Sequence, residues 1–548
     1  MTRHTYIGRT TAAAAVAVAA GSCLMAAGAA ADPAASAQRS EIAKTDTINE
    51  WPATFRVDAA DDRIAPSYLG AQFEKTSDGK AKAPAARKRS KAESTDEDLF
   101  RPDPRYDGGY DAQIQADVYG GKYEVDPPRP PIEIGRQQYT SGAYDESSTV
   151  LGVKNPMLPG LAVYGDWRTA VAYNSNKGKD IAQVATRLNL DVDLKLTGTE
   201  RIHAFFAPIQ NNNNAEFSRF EFGGGDGNGK FNDELDAEPQ TLFFEGDFGS
   251  LYSGFSGQEA SFDLPFTVGL FPLFLQNGIW ANDAILGAAV SLPAKNSAAL
   301  GLANFDITFF TAFDDVDNAG IIGPNEDNAA NLYGVTAFID AFSGYIETGY
   351  GLIDGRDERE GLQTHFLTAA YTRRYYNTVS NSTRVFANVG EDPEGNSDGL
   401  AIISENSLIT GLPSTLLPYA NFFVGFGNPQ PLVDGFNAGI LKNVGINFET
   451  DALTGYPKLD DSGSDAFGGA IGLQYLFDLD QQLVFEVATV QPFAKDGIGA
   501  QEPQYGFGVR YQIALDRAWL LRADATYQIS EGDDEDNFGT RVELRRKF

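Results

Sequence analysis

Sulfur and histidine are scarce in this chain of 548 residues. It contains one cysteine, Cys23, three methionines and three histidines. Cys23 lies in the predicted leader described below, so a mature chain that starts after it has no thiol for disulfides, iron–sulfur clusters or covalent haem attachment. Structural zinc and a protein-borne metal-redox role are disfavoured because almost no ligands remain for them.

Long apolar runs and a basic excess are also lacking. Outside residues 1–31, no stretch approaches the ~20 continuous apolar residues of a transmembrane helix, so a membrane form of this protein would have to cross as strands. The formal net charge of −32 disfavours nucleic acid as a partner. Aromatic residues make up 12% of the chain and there are 57 glycines, a composition that favours many strands joined by glycine-rich turns.

Residues 1–31 have the order of a secretory signal peptide. A short basic start containing Arg3 and Arg9 precedes a run rich in alanine and valine, which ends in three alanines just before Asp32. Two alternatives stay open. One is an ordinary apolar helix, and the other is lipoprotein processing at Cys23, which follows three small residues.

Residues 32–148 show no sustained periodicity. They contain a basic tract over residues 80–91 and a proline-rich run over residues 127–131. We interpret this part as a mostly extended or disordered periplasmic segment. A solvated linker explains the basic tract most simply, and contact with an anionic polymer or a periplasmic partner is the alternative.

Residues 149–548 carry a repeating strand pattern, with segments of about ten residues that alternate in polarity between glycine, asparagine and aspartate clusters. In Tyr505 to Leu515 every odd position is apolar and every even position is polar or small, and residues 184–196 and 519–529 alternate in the same way. The pattern predicts an all-β fold, a transmembrane antiparallel β-barrel of roughly 16–18 strands.

A soluble β-sandwich also alternates and is the main alternative to a barrel. Two features favour the barrel. Aromatic residues stand near the predicted strand ends, where interfacial girdles would lie: Tyr505, Tyr511, Trp519 and Tyr527. The polar faces carry arginine and aspartate in mid-strand, as expected for a wet lumen.

The chain ends on an alternating strand with a terminal Phe548. Such an ending resembles the outer-membrane porin class, although Arg546 stands where an apolar residue is usual. The resemblance implies that Phe548 is an assembly signal read by the barrel assembly machinery, and that outer-membrane lipid and lipopolysaccharide surround the protein.

Loop lengths predict the orientation of the barrel, because such barrels have short periplasmic turns and longer outer loops. The short connections are Leu196 to Glu200, Leu476 to Gln481 and Asp516-Arg517. The long ones, which are mostly acidic, cover 211–236, 314–331, 354–360, 391–398 and 531–537. This predicts that the N-terminal segment and the C-terminus are periplasmic. Barrels of this size leave an aqueous channel.

Six charged residues on the polar faces of the last strands are candidates to line that channel: Arg510, Arg522, Asp524, Arg541, Glu543 and Arg545. The arginines could form a basic ladder that acts on passing solutes. Equally, they could be ordinary lumen residues that pair with Asp524 and Glu543. Pro272 interrupts a strand-like run, so Pro272, Gln276 and Asn277 are candidates for an inward constriction, with a plain bulge as the alternative.

Cofactors are not expected, with one weak exception. Asp226, Asn228, Asn232 and Asp233 resemble the start of a calcium loop. Lys230 occupies an oxygen position of that pattern and no glutamate falls at the twelfth, so a flexible acidic outer loop is favoured instead. His203, which the alternation points inward, and His365 are the only places to look for catalysis, and lumen lining is the simpler role.

The sequence therefore favours a porin-like channel for passive diffusion of small hydrophilic solutes across the outer membrane. A structural barrel that sheaths a periplasmic partner is the first alternative, and a barrel hydrolase the second. Whether the barrel forms a homo-trimer stays open.

Overall fold

A computed structural model describes residues 130–135, 155, 157–211, 216–223, 229–300, 302–314, 316–318, 330–356, 360–391, 398–412, 415–435, 439–449, 453–477, 481–494, 499–532 and 536–548. The predicted leader and the basic tract lie outside these residues. So do Asp226 and Asn228 of the predicted calcium loop.

The structure is built almost entirely from strands. They are β1 (Ile132–Gly135), β2 (Met157–Asn176), β3 (Lys179–Thr197), β4 (Arg201–Phe206), β5 (Gln210–Asn211), β6 (Glu216–Gly223), β7 (Lys230–Asn232), β8 (Pro239–Asp247), β9 (Pro265–Leu275), β10 (Ala281–Ser297), β11 (Leu302–Asp314), β12 (Ala330–Ala341), β13 (Gly344–Gly355), β14 (Gln363–Tyr375), β15 (Val379–Gly390), β16 (Gly399–Leu408), β17 (Leu416–Gly427), β18 (Val433–Asp434), β19 (Ala466–Phe477), β20 (Gln481–Pro492), β21 (Gln504–Ala514), β22 (Trp519–Ser530) and β23 (Asn537–Lys547). One helix, α1 (Phe248–Ser256), follows β8.

Eighteen antiparallel strands form one closed barrel: β2–β4, β8–β17 and β19–β23. The barrel closes because β2 pairs with β3 on one side and with the last strand, β23, on the other. Short strand β6 pairs with residues 182–186 of β3, and β4 pairs with residues 190–195 of the same strand. β6 and β4 therefore occupy the same position beside β3 in the wall. The predicted antiparallel β-barrel of roughly 16–18 strands is confirmed.

The polarity alternation predicted from the sequence separates the two faces of the wall. In β23, Val542 is 51% exposed on the outer face, while its neighbours Arg541 and Glu543 are buried on the inner face. Outward aromatic residues lie at both ends of the strands, with Tyr505 and Tyr527 near one end and Tyr511 and Trp519 near the other. The sequence pattern and the three-dimensional wall therefore agree.

We call the end of the barrel that contains Phe548 the turn end and the other the loop end. The strands that flank the predicted short connections meet at the turn end, and the strands that flank the predicted long connections meet at the loop end. Which end faces the periplasm stays a prediction. Among the described residues, no helix is long and apolar enough to cross a membrane.

The last strand ends at the barrel seam. The amide of Phe548 donates to the carbonyl of Gly165 (3.0 Å), and the amide of Gly165 donates back (2.9 Å). β1 pairs with Gly160–Val163 of β2, just beyond that point. The predicted N-terminal segment thus adds one short strand to β2, beyond the closed ring of eighteen strands.

Two parts of the chain at the loop end fold into the lumen. The first, called the infolded segment, consists of the described residues 428–435, 439–449 and 453–465 and contains β18. The second, called the β9–β10 tip, covers residues 276–280. Their buried apolar side chains, including Trp280, Leu432, Ile440 and Phe448, join inward residues of the wall in one core. The apolar core of this protein therefore lies inside the barrel.

Candidate functional site

A run of inward arginines crosses neighbouring strands on one side of the lumen. This arginine wall consists of Arg168 on β2, Arg187 on β3, Arg510 on β21, Arg522 on β22, and Arg541 and Arg545 on β23. The strand register places acidic residues among them. Asp524 lies directly between Arg510 and Arg541, Glu543 lies opposite Arg522, and Arg168 stands between Arg545 and Arg187.

Asp524 is the central hydrogen-bond acceptor of the arginine wall. It accepts hydrogen bonds from Arg510 (Nε, 2.7 Å), Arg522 (Nε, 2.7 Å) and Arg541 (Nη2, 2.7 Å). One carboxylate thus binds three guanidinium groups, and charge-assisted bonds of this length are the strong class.

Two further acids continue the pattern toward β2. Glu543 binds Arg168 in a bidentate pair (2.7 and 2.8 Å), and Asp166 accepts from Arg545 (2.8 Å). Arg187 donates its Nε to Asn189 (2.7 Å), and its buried Nη2 has no hydrogen-bond partner in the structure. The arginine wall thus keeps a positive excess at Arg187.

All six residues proposed to line the channel point inward, and each is almost fully buried; Arg522, for example, is only 2% exposed. The basic ladder and the pairing with Asp524 and Glu543 therefore coexist, and the role of the six in solute passage stays a prediction. Arg168, Arg187 and Asp166 are site residues that were not predicted from the sequence. Their signal was their position on the polar parity of β2 and β3.

Glu486 fixes the infolded segment to the wall. This inward residue of β20 accepts from the amides of Ile446 and Asn447 (2.9 Å each), from the side-chain amide of Asn447 (2.9 Å) and from Tyr419 Oη (2.5 Å). Asn421 of β17 adds a bond to the carbonyl of Val444 (2.6 Å). Four acceptor contacts on one buried carboxylate hold the segment inside the barrel.

Glu449 of the infolded segment reaches the arginine wall itself. It binds Arg510 (2.5 Å) and Arg522 (3.2 Å). Burial raises the pKa of this carboxyl above its ordinary value, and nearby Asp524 adds to the effect, while Arg510 opposes it. Glu449 therefore covers the wall with a carboxylate that is easier to protonate than a free glutamate.

The β9–β10 tip crosses the lumen toward β13 and β14. Gln276 donates to Thr368 of β14 (2.7 Å), the carbonyl of Asn277 accepts from Asn443 (2.8 Å), and buried Trp280 packs against Gly349 of β13. An added Cβ at Gly349 would lie 2.5 Å from the Trp280 ring, so this position has no room for a side chain.

Pro272 does not produce this excursion, contrary to the expectation from the sequence. It continues β9, opposite Ala284, with its side chain outward. The pairing of β8 with β9 ends at Leu270, so the part of β9 that holds Pro272 has no ladder partner on that side. A proline is tolerated there because it has no amide hydrogen to pair. The inward turn begins at Gln276.

An acidic wall lies about half-way around the barrel from β23 and β2. Its inward residues are Asp306 on β11, Asp340 on β12 and Glu347 on β13. Phe338 stands among them, inward yet 37% exposed. An inward aromatic side chain with that exposure faces a solvent-accessible space, so this side of the lumen is not filled.

The remaining candidates lie apart from this site. Inward His203 contacts Glu245 (3.1 Å) and stacks on Phe243, whereas His365 is on the outer face and bonds Tyr350 Oη (2.8 Å). The wall separates the two histidines. Asn232 ends β7 and Asp233 follows it. With Asp226 and Asn228 outside the described residues, the calcium loop stays a prediction.

Comparisons with known proteins give structural similarity alone. No family model matches the chain, and no curated protein matches it. Crystal structures of Pseudomonas aeruginosa OccK7 (OpdD) and of OccK2 (OpdF) in complex with glucuronate each match 71% of this chain and 98% of their own, with TM-scores of 0.47 and identities of 8% and 10%. Acinetobacter baumannii OccAB3 matches with 11% identity and a TM-score of 0.46, over 71% of this chain and 99% of its own.

Proposed function

We propose that this protein is a porin-like channel of the outer membrane through which small hydrophilic solutes diffuse passively. One observation carries the proposal. A closed barrel with an apolar outer surface encloses a lumen that has an arginine wall on one side and a partly exposed acidic wall on the other.

The outer surface supports a membrane location. Large apolar side chains such as Phe507, Val542 and Leu544 are well exposed there, on strand after strand. In water such a surface would be a very large exposed apolar patch, whereas in a bilayer it matches the acyl chains. Aromatic residues at both strand ends match the two interfaces.

The lumen supports passage with selection by charge. Opposed walls of unlike charge create an electric field across the path, and the infolded segment and the β9–β10 tip narrow that path. A small polar or ionic solute is oriented by such a field, while an apolar or large solute is rejected. Neither histidine has an arrangement that favours hydrolysis, and we propose no catalytic role.

Planar-bilayer recording tests the proposal. The purified, folded protein should insert to give discrete conductance steps. A barrel that is shown to be folded and inserted, yet gives no conductance, would count decisively against a channel. Deleting residues 32–148 should leave the steps intact, whereas a sheath for a periplasmic partner would lose that partner on the same deletion.

Orientation and surroundings follow as further proposals. The N-terminal segment and Phe548 would lie on the periplasmic side, and the last strand would be presented to the barrel assembly machinery. The acidic loops would face outward, where divalent cations, calcium included, could bridge them to lipopolysaccharide. Cleavage by a protease added outside intact cells, restricted to loop-end connections, would support this orientation.

A further inference from the structure

Helix α1 occupies an unusual place at the turn end. The connection that contains it runs from residue 248 to 264, whereas others at this end, such as 342–343 and 376–378, have only two or three residues. The connection is well fixed. Asp247 caps α1 by accepting from the amide of Ser250 (2.6 Å), and its second oxygen accepts from the amide of Leu264 (2.7 Å).

A helix at a water surface usually exposes polar residues, whereas α1 exposes aromatic residues and buries small ones. Its buried residues are small, namely Gly249, Ser253 and Gly254. An added Cβ at Gly249 would lie 2.1 Å from the carbonyl oxygen of Phe262, so the close approach of the two segments requires glycine. The exposed side is aromatic, with Tyr252 at 50% and Phe255 at 73% exposure. α1 contains no charged residue.

The aromatic side of α1 continues the apolar outer surface of the barrel. Phe248 stacks on the outward Phe266 of β9, with ring centroids 4.1 Å apart, and Phe266 in turn contacts the outward Phe244 of β8 (5.8 Å). Leu242 and Val268 extend this surface along the same two strands. A surface continuous with the lipid-facing belt is covered by the same medium as that belt.

We propose that α1 is an interfacial helix whose aromatic side inserts into the headgroup–acyl boundary of the lipid leaflet at the turn end. The inference rests on the proposed membrane location of the barrel. Aromatic side chains without charged neighbours suit this boundary, and Tyr252 can keep its hydroxyl near the headgroups. The continuity of this aromatic side with the outward residues of β8 and β9 favours lipid over a second copy of the chain.

Site-directed nitroxide labelling tests the proposal on the full chain in liposomes, in a Cys23→Ser background. Phe255→Cys and Tyr252→Cys each place a label on α1. Leu242→Cys on β8 is the lipid-facing control, and Arg517→Cys in a turn at the same end is the water-facing control. Relaxation by lipid-soluble oxygen is compared with relaxation by a water-soluble nickel chelate.

The labels on α1 should show an oxygen-to-nickel accessibility ratio clearly above that of the Arg517 label and no higher than that of the deeper Leu242 label. A ratio equal to that of Arg517 would place α1 in water and overturn the proposal. Protection from both reagents would mean that protein covers α1, which also overturns it. If the Leu242 label itself is water-accessible, the membrane location fails first, so the two failures are distinguishable.

Discussion

Single residues explain why charge can be buried inside this barrel. Asp524 holds three arginines within hydrogen-bond distance, and Glu543 and Asp166 hold two more. Desolvating a charge costs several kcal/mol unless a well-placed partner compensates for it. The loss of any of these acids would therefore leave buried guanidinium charge uncompensated.

Asp524→Asn tests the role of this shared carboxylate in stability. The asparagine leaves three nearly buried guanidinium groups without their shared carboxylate, so the free energy of unfolding should fall by about 3–5 kcal/mol. Urea unfolding of the protein in detergent or lipid, followed by mobility on gels, measures the change. Asp314→Asn is the control because its pair with Arg356 is solvent-exposed, and it should cost at most about 1 kcal/mol. Equal effects of the two substitutions would contradict the role of Asp524.

Glu449 gives the second prediction, a dependence of ion selectivity on pH. Its pKa is raised, so on acidification it becomes neutral earlier than an ordinary glutamate, and its charge is present only above that pKa. Protonation leaves Arg510 and Arg522 with less counter-charge. The reversal potential in a salt gradient should therefore shift toward anions as the pH is lowered, and the shift should begin at a higher pH than the titration of an ordinary glutamate.

Glu449→Gln provides the matched control for that shift. The variant should be more anion-selective at neutral pH and should lose most of the pH response. A response of unchanged size in this variant would assign the titration to another group.

The infolded segment determines the width of the path through the barrel lumen. Glu486→Gln replaces a carboxylate that accepts four hydrogen bonds by an amide that cannot accept them all, so the segment should loosen. Single-channel conductance and its noise should rise. Asp306→Asn removes the same charge from the opposite wall, where the carboxylate accepts a hydrogen bond from the Ala294 amide, and serves as the control. Equal noise in both variants would show that Glu486 does not anchor the segment.

The sequence predicted the strands well and the lumen filling poorly, for a physical reason. A strand in this barrel meets apolar surroundings on one face and polar ones on the other, so its local alternation carries the information, as in β21 to β23. The infolded segment has no such period. Its place depends on contacts with distant residues, such as Glu486 with Asn447 and Asn174 with Thr454, and no local pattern encodes these. Gln276 and Asn277 lie in the β9–β10 tip while Pro272 continues β9, and their role as a constriction stays a prediction.

Passage through the whole molecule requires a closed barrel and a solvent-filled path beside the infolded segment. The acidic wall borders that path because Phe338, Asp340 and Glu347 face inward on neighbouring strands. We therefore expect a solute that crosses the barrel to pass Phe338, whose inward side chain is 37% exposed.

Modification of Phe338→Cys during planar-bilayer recording tests this claim most directly, with Cys23→Ser as background and Leu367→Cys, outward on β14, as the control. We expect discrete conductance steps for both variants. After a charged thiol reagent is added, the conductance of the Phe338→Cys channel should fall stepwise, and that of the Leu367→Cys channel should not change. Conductance that persists unchanged after complete modification at position 338, or folded barrels that never conduct, would contradict it.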